Sequence, residues 1–201
     1  MHFARRSILL ITTLSLLRCT QMDEREIDRL PAFSGEGILN AVIEIPAGSS
    51  EKFEFDPATG EFLVSQRDGR PRTIRFLPYP ANYGFIPATK MNAEEGGDGD
   101  AVDVFVLCAA LPTGTVIEVE PIGIIELLDA GERDDKLVAV PIDPALRTVE
   151  AGDIHELPDA AREILVTWLL NYDPEDVAEL IAVKGKAEAI ATVNRWRIAD
   201  R

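Results

Sequence analysis

Asp98, Asp100 and Asp103 fall within six residues in the stretch EEGGDGDAVDVFVL (94–107), after Glu94 and Glu95 and directly before an apolar run. At ~4 Å a pair of like charges costs roughly 4 kcal/mol at an effective dielectric of about 20. Such crowding calls for a positive charge nearby or for free solvation. Gly96, Gly97 and Gly99 make the loop pliant, and three carboxylates on a glycine-rich loop outline a site for a hard divalent cation. In an extended segment Asp98 and Asp100 project to the same side, and Asp103, opening the next strand, can close the group. An EF-hand is excluded: counted from Asp98, Asp103 and Ala109 stand where that loop needs Gly and Glu. From this motif alone a solvated acidic loop is the competing reading.

A second acidic group follows in LLDAGERDDKLVAVP, where Asp129, Asp134, Asp135 and Lys136 lie between two apolar runs. Two acidic loops anchored on adjacent strands can face one site and hold more than one divalent ion. Paired metals suit phosphoryl transfer, because they lower the pKa of a bound water and neutralise a charged substrate. The third piece is RFLPYPANYGFIP, in which Pro78, Pro80 and Gly84 stiffen a turn bearing Tyr79 and Tyr83. Their hydroxyls can donate to phosphate oxygens; a packing turn would look the same. Lys52 and Glu54 share the polar face of one strand, with Glu44 on a neighbouring one.

The elements that must position these groups read clearly. AVIEIP alternates Ile43 and Ile45 against Val42 and Glu44. KFEFD and EFLVS flank the turn signal DPATG and form a hairpin, 52–56 with 61–65. DVFVLC, TVIEVEPIGIIELLD and KLVAVPI are three further strands rich in β-branched residues. After about residue 157 the pattern turns helical: Ala161, Leu165, Trp168, Leu169 and Tyr172 make an apolar stripe, and a second helix runs from about Ala187 to Ile198. Short strands followed by two helices predict an α+β fold, a closed antiparallel barrel with the helices packed outside. No glycine-rich phosphate loop follows a strand, which excludes a P-loop or dinucleotide fold.

With 201 residues, 46% of them apolar and 27% charged, the chain suffices for one domain with a core. Its net charge of −15 argues against nucleic acid as a partner. An acidic protein can still act on phosphates when cations sit between. The N-terminus, MHFARRSILLITTLSLLRCTQ, has a basic start and the apolar run Ser7–Leu17, too short to span a bilayer. It reads as an export segment, residues 1–19, with a lipidated Cys19 as in bacterial lipoproteins, and residues 20–201 as the mature domain. Arg18 disagrees, standing where a small residue is usual. The competing reading is an uncleaved or anchoring N-terminus on a cytoplasmic protein. Cys108 reads as a small packed hydrophobe.

Taken together, VIEIPAGSSEKFEFD, LPYPANYGFIP, GDGDAVDVFVL and DDKLVAVP resemble, in order and spacing, the soluble family I inorganic pyrophosphatases, over residues 41–141 and more weakly beyond. The family signature has Pro where this chain has Ala101. The resemblance implies a five-stranded OB-like barrel, a homohexamer, and hydrolysis of pyrophosphate to two phosphates by a metal-activated water with several Mg²⁺ ions, Mn²⁺ being a substitute. It implies that Asp98, Asp100, Asp103, Asp129 and Asp134 hold metals, that Asp100 is the general base, and that Glu44 holds a further metal or its water. Lys52, Tyr83 and Lys136 match phosphate-binding positions; Tyr79 and Glu54 match supporting ones. The family's phosphate-binding arginine falls in VSQRDGRPRTIRF, which carries about five extra residues and Arg67, Arg70, Arg72 and Arg75. Arg72 is preferred because Pro71 fixes its approach, with Arg67 the rival. Tyr172 matches the family's Tyr-Lys pair, but Asp173 replaces the lysine. The expectation is weaker substrate affinity, with Lys184 or Lys186 as replacements from the next helix. Two other readings are a catalytically impaired relative and an OB-type nucleic-acid binder; the charge and the lack of a basic, aromatic-interleaved stripe speak against the latter.

Overall fold

The computed structural model describes residues 27, 29–175 and 177–198. The export segment and Cys19 lie outside the described residues. The main sheet begins with β1 (Leu39–Ile45), whose residues are all buried. It continues with β6 (Asn82–Phe85), β7 (Asp103–Val106), β8 (Val116–Asp129) and β10 (Lys136–Pro141). Hydrogen bonding runs β1–β6–β7–β10–β8, and β8 returns to β1, so five strands form a ring. β8 has the length to do this: its first half pairs with β1 and its later residues with β10.

The sheet departs from the all-antiparallel expectation at one place. β7 and β10 run parallel, with Asp103 opposite Lys136 and Phe105 opposite Val138. That pairing needs a crossover, which the long β8 supplies. The expected hairpin forms as β2 (Phe53–Asp56) and β3 (Glu61–Val64). The residues after it make a smaller hairpin, β4 (Gln66–Arg67) with β5 (Arg70–Pro71). β9 (Glu132–Arg133) folds back on the end of β8.

Helix α1 spans Asp159–Leu169 and α2 spans Lys186–Trp196. Of the expected stripe, Leu165, Trp168 and Leu169 are buried; Tyr172 lies beyond the last turn, its N–H donating to the Trp168 carbonyl at 2.9 Å. The helical reading of the segment between them was wrong. Ala178–Gly185 is an edge strand, β11, paired antiparallel with β8. Its side chains are half-exposed or exposed, so it lacks the one-sided apolar pattern that marks a strand. Its β-branched Ile181 and Val183 are the signal it does carry.

Two apolar clusters pack on opposite sides of the strands. Ile43, Val104, Ile124 and Leu137 meet Val193 and Trp196 of α2. Ile45, Tyr83, Phe105, Ile125 and Val138 meet Leu165 and Trp168 of α1. Strand alternation therefore assigns Asp103, which shares a face with Phe105, and Lys136, which shares one with Val138, to the α1 side. Among the described residues, no helix is long and apolar enough to cross a membrane.

Candidate active site

The two acidic loops are sewn together by backbone. The Arg133 N–H donates to the Gly96 carbonyl at 2.8 Å, and Gly97 bridges Arg133 in parallel register. Positive φ at Gly96 and Gly99 allows the first loop to turn twice within four residues. The Asp98 carboxylate accepts the Asp100 N–H at 2.9 Å, which fixes the loop locally, and its charge interacts with that of Asp134.

Lys136 is the hub. It is buried, at 4% exposure, in a place where an unpaired ammonium would not survive. Its Nζ donates to Asp103 Oδ2 at 2.6 Å and to Asp134. The Tyr83 hydroxyl donates to the same Asp103 oxygen at 2.6 Å. Burial favours the neutral amine, but Asp103 and Asp134 outweigh it and raise the lysine well above its ordinary value. In return, although burial opposes ionisation of Asp134, Lys136 holds that carboxyl below the usual range. Burial pushes the Asp103 carboxyl up despite the lysine. Burial, with repulsion from Asp134 and Asp103, takes Asp98 to about 7.

Glu44 reaches the site through a backbone irregularity. Between Ile43 opposite Gly84 and Ile45 opposite Tyr83 the register shifts, leaving Glu44 as the extra residue of a bulge. Gly84 is required there: a Cβ would fall 1.8 Å from the Val42 carbonyl oxygen. Glu44 accepts the Phe55 N–H at 2.7 Å, and its burial, the main cause, lifts its carboxyl to about 8.

A cleft of about 490 Å³ opens beside these groups, lined by Glu44, Lys52, Glu54, Tyr83, Asp100 and Asp103 among others. Lys52 and Glu54 form an ion pair at 2.9 Å. Asp100 is exposed at the lip. Asp129 ends β8 opposite Glu132 and Ala178, on the face that carries Ile125 and Leu127. Asp135 points into structure instead, taking Arg133 at 3.2 Å and the Leu127 N–H at 3.3 Å.

An aromatic cluster packs behind Tyr83, which lines the cleft. Trp168 stacks on Tyr172 with centroids 4.5 Å apart and planes at 7°, and Tyr79 packs 4.5 Å from Trp168 and 5.3 Å from Tyr83. Burial pushes the Tyr172 hydroxyl up to about 12, and burial likewise raises Tyr79 and Tyr83. All three are protonated donors at neutral pH. The helical spacing of Trp168 and Tyr172 was legible as a packing stripe; its role in fixing Tyr172 was missed.

Arg72 approaches from the end of β5, its N–H donating to the Ser65 carbonyl at 2.8 Å and its own carbonyl accepting the Lys52 N–H at 3.2 Å. Burial opposes ionisation of Glu54, but Lys52, with a smaller contribution from Arg72, lowers that carboxyl. The two replacement lysines do not come to Tyr172. Lys184 sits on strand β11, not on a helix, and pairs with Glu126 at 3.0 Å, while Lys186 pairs with Glu120 at 2.5 Å. Glu126 alternates with Ile125 and Leu127 on β8, and both lysines are held by these carboxylate partners.

The donor set is entirely oxygen, the chemistry of a hard divalent cation. Among the described residues no three acidic, His or Cys groups form a ready-made cage; the Lys136 ammonium screens Asp103 from Asp134. Buried Glu44 and crowded Asp98, both holding protons unusually tightly, are carboxyls that a cation would ionise, so the residues fit such an ion.

A family model for inorganic pyrophosphatase matches residues 41–199. The inorganic pyrophosphatase of Sulfolobus acidocaldarius is 35% identical over 173 residues, covering 84% of this chain and 93% of that one. That of a Nostoc species is 37% identical over 177 residues, covering 81% and 98%. Among solved structures, the Helicobacter pylori inorganic pyrophosphatase superposes with a TM-score of 0.69 at 30% identity, covering 79% of this chain and 91% of that one. The Thermus thermophilus inorganic pyrophosphatase gives 0.72 at 26%, covering 85% and 95%. Matching over most of its length in both sequence and fold, the chain belongs to the soluble, family I inorganic pyrophosphatases.

Proposed function

We propose that this chain is an inorganic diphosphatase that hydrolyses pyrophosphate to two orthophosphates with Mg²⁺, and that Asp100 is its general base. The observation that carries the reading is the meeting, in this family's fold, of two acidic loops stitched by backbone and joined through Lys136 to Asp103 and Asp134, beside the cleft that Lys52, Asp100 and Asp103 line. We read the five-stranded ring as the OB-type barrel of that family.

In this reading Asp98, Asp100, Asp103, Asp129, Asp134 and Glu44 hold the metal ions. Bound there, Mg²⁺ or Mn²⁺ supplies Lewis acidity, lowering the pKa of a water and masking carboxylate charge from an anionic substrate. The protein supplies the rest. Lys52, Arg72 and Lys136 bind phosphoryl oxygens as fixed cations. Tyr172, kept protonated by burial, donates a hydrogen bond to them, and Tyr83 does so when its hydroxyl turns from Asp103, with Tyr79 and Glu54 holding the neighbouring side chains in place. Asp100, alone among these acids in being exposed at the lip, takes the proton of the attacking water. The phosphoanhydride bond breaks as the new P–O bond forms, and the leaving phosphate departs past Tyr172.

Phosphate release from pyrophosphate with and without Mg²⁺ tests the reaction. Asp100→Asn lowers the rate by on the order of 10²–10⁴, the usual worth of a general base. A rate unchanged in that variant removes Asp100 from the role. Export through residues 1–19 with a lipid on Cys19, and assembly into hexamers, belong to the same reading. The mass of the Cys19 peptide from membranes and light scattering of the purified protein test them.

A further inference from the structure

Asp173 does not stand in the cleft as a bare negative charge. Its side chain is 10% exposed and takes Arg72 Nη2 at 2.8 Å and Arg67 Nη1 at 3.0 Å, and Arg67 Nη1 is also held by the more exposed Glu175 Oε2 at 2.9 Å. The Glu175 N–H adds a third hydrogen bond at 3.1 Å. Arg67 arrives on the small β4–β5 hairpin, which turns through Asp68 and Gly69, both at positive φ. At the base of that hairpin Arg72 returns beside Ser65, so the excursion places a second guanidinium next to the first. Two cations so close repel, and the carboxylate between them holds them together. Burial opposes ionisation of Asp173, yet the hydrogen bonds from Arg67 and Arg72 outweigh it and hold the carboxyl to about 2. The group is a permanent anion. The adjacent residue is Tyr172, which feels the charges of Lys136, Asp134 and Arg72, so the cluster lies next to the residue proposed to bind phosphate.

We infer that Asp173 is a positioning residue, holding Arg67 and Arg72 as a paired anion-binding fork, and that Arg67 is thereby a further phosphate-binding residue of this chain. The inference rests on the pyrophosphatase reading and deepens it. It reverses the sequence-based expectation that the acid simply weakens affinity. The two views predict opposite signs. A surplus anion, once neutralised, lets a polyanionic substrate bind more tightly. A positioning anion, once neutralised, releases Arg72 and leaves Arg67 to Glu175 alone, so the two guanidinium groups drift apart and binding weakens.

Steady-state hydrolysis of magnesium pyrophosphate by the full chain decides between them. Asp173→Asn should raise KM about tenfold, the usual worth of one charge-assisted hydrogen bond, with kcat within about threefold of the parent. Asp173→Glu, which keeps the charge, should recover most of that loss. Arg67→Gln should raise KM by a similar factor, and the double variant Arg67→Gln with Asp173→Asn should add little to either alone. A KM that falls or stays constant in Asp173→Asn overturns the inference, as does a rise that Asp173→Glu fails to recover. Should Asp173→Asn not fold, Arg67→Gln decides alone: an unchanged KM refutes the fork. Absence of hydrolysis by the parent chain refutes the pyrophosphatase reading instead.

Discussion

Removing divalent metal should make this protein lose stability as pH rises from 6 to 9, and saturating Mg²⁺ should remove most of that loss. The reasoning starts at Glu44, whose carboxyl moves from an ordinary 4.5 to about 8, chiefly because it is buried. Between those values the folded chain binds the proton more tightly than the unfolded chain. Stability is therefore full at the acid end of the window and falls as pH climbs through it. Going from pH 6 to above 8 at about 1.4 kcal/mol per pH unit costs about 3 kcal/mol. Asp98, raised to about 7, adds about 1 kcal/mol over the same range. Its partial exposure admits screening water, which cuts that roughly in half. Asp103 shifts in the same direction, whereas Asp134 lies below its ordinary value and is already ionised. The total of about 3 kcal/mol corresponds to about 1–2 M in a urea midpoint. Urea unfolding at pH 6 and pH 9, each with EDTA or with millimolar Mg²⁺, reads it directly. Equal midpoints at the two pH values in EDTA would refute the argument, as would the same loss with Mg²⁺ present.

Two further outcomes follow from the geometry. Lys136→Met leaves Asp103 and Asp134 facing each other without their shared cation, and should cost about 3–5 kcal/mol in metal-free urea unfolding; Mg²⁺ should return part of it. Gly84→Ala sets a methyl against the Val42 carbonyl, so β1 and β6 must separate at the Glu44 bulge; thermal unfolding should fall by several degrees and Mg²⁺ affinity by calorimetry should weaken with it.

Much of the candidate site's geometry was legible because its acidic loops and tyrosine turn are local. Asp98, Asp100 and Asp103 sit on one loop, and the stiff turn around Tyr79 and Tyr83 is written in its prolines and glycine. The pairing of the two acidic loops was also foreseeable, since each leads into or out of an apolar strand. What resisted reading depended on distant partners. The parallel register of Asp103 with Lys136 arises from how β8 crosses the ring, and no single segment encodes it. Strand β11 is half-exposed, so periodicity gave no face to recognise. Asp173 looked like a defect in sequence because its arginines lie about a hundred residues upstream.

The long strand β8 has a consequence for how the molecule comes into being. β1, near the start of the domain, hydrogen-bonds along one edge to Leu39–Val42's partners at Val116–Val119, some seventy residues later. A nascent chain lacking those residues has β1, β6 and β7 with open borders on both sides, the state most exposed to wrongful pairing. Ring closure therefore waits until β8 is made, and contacts of such long sequence separation favour slow folding.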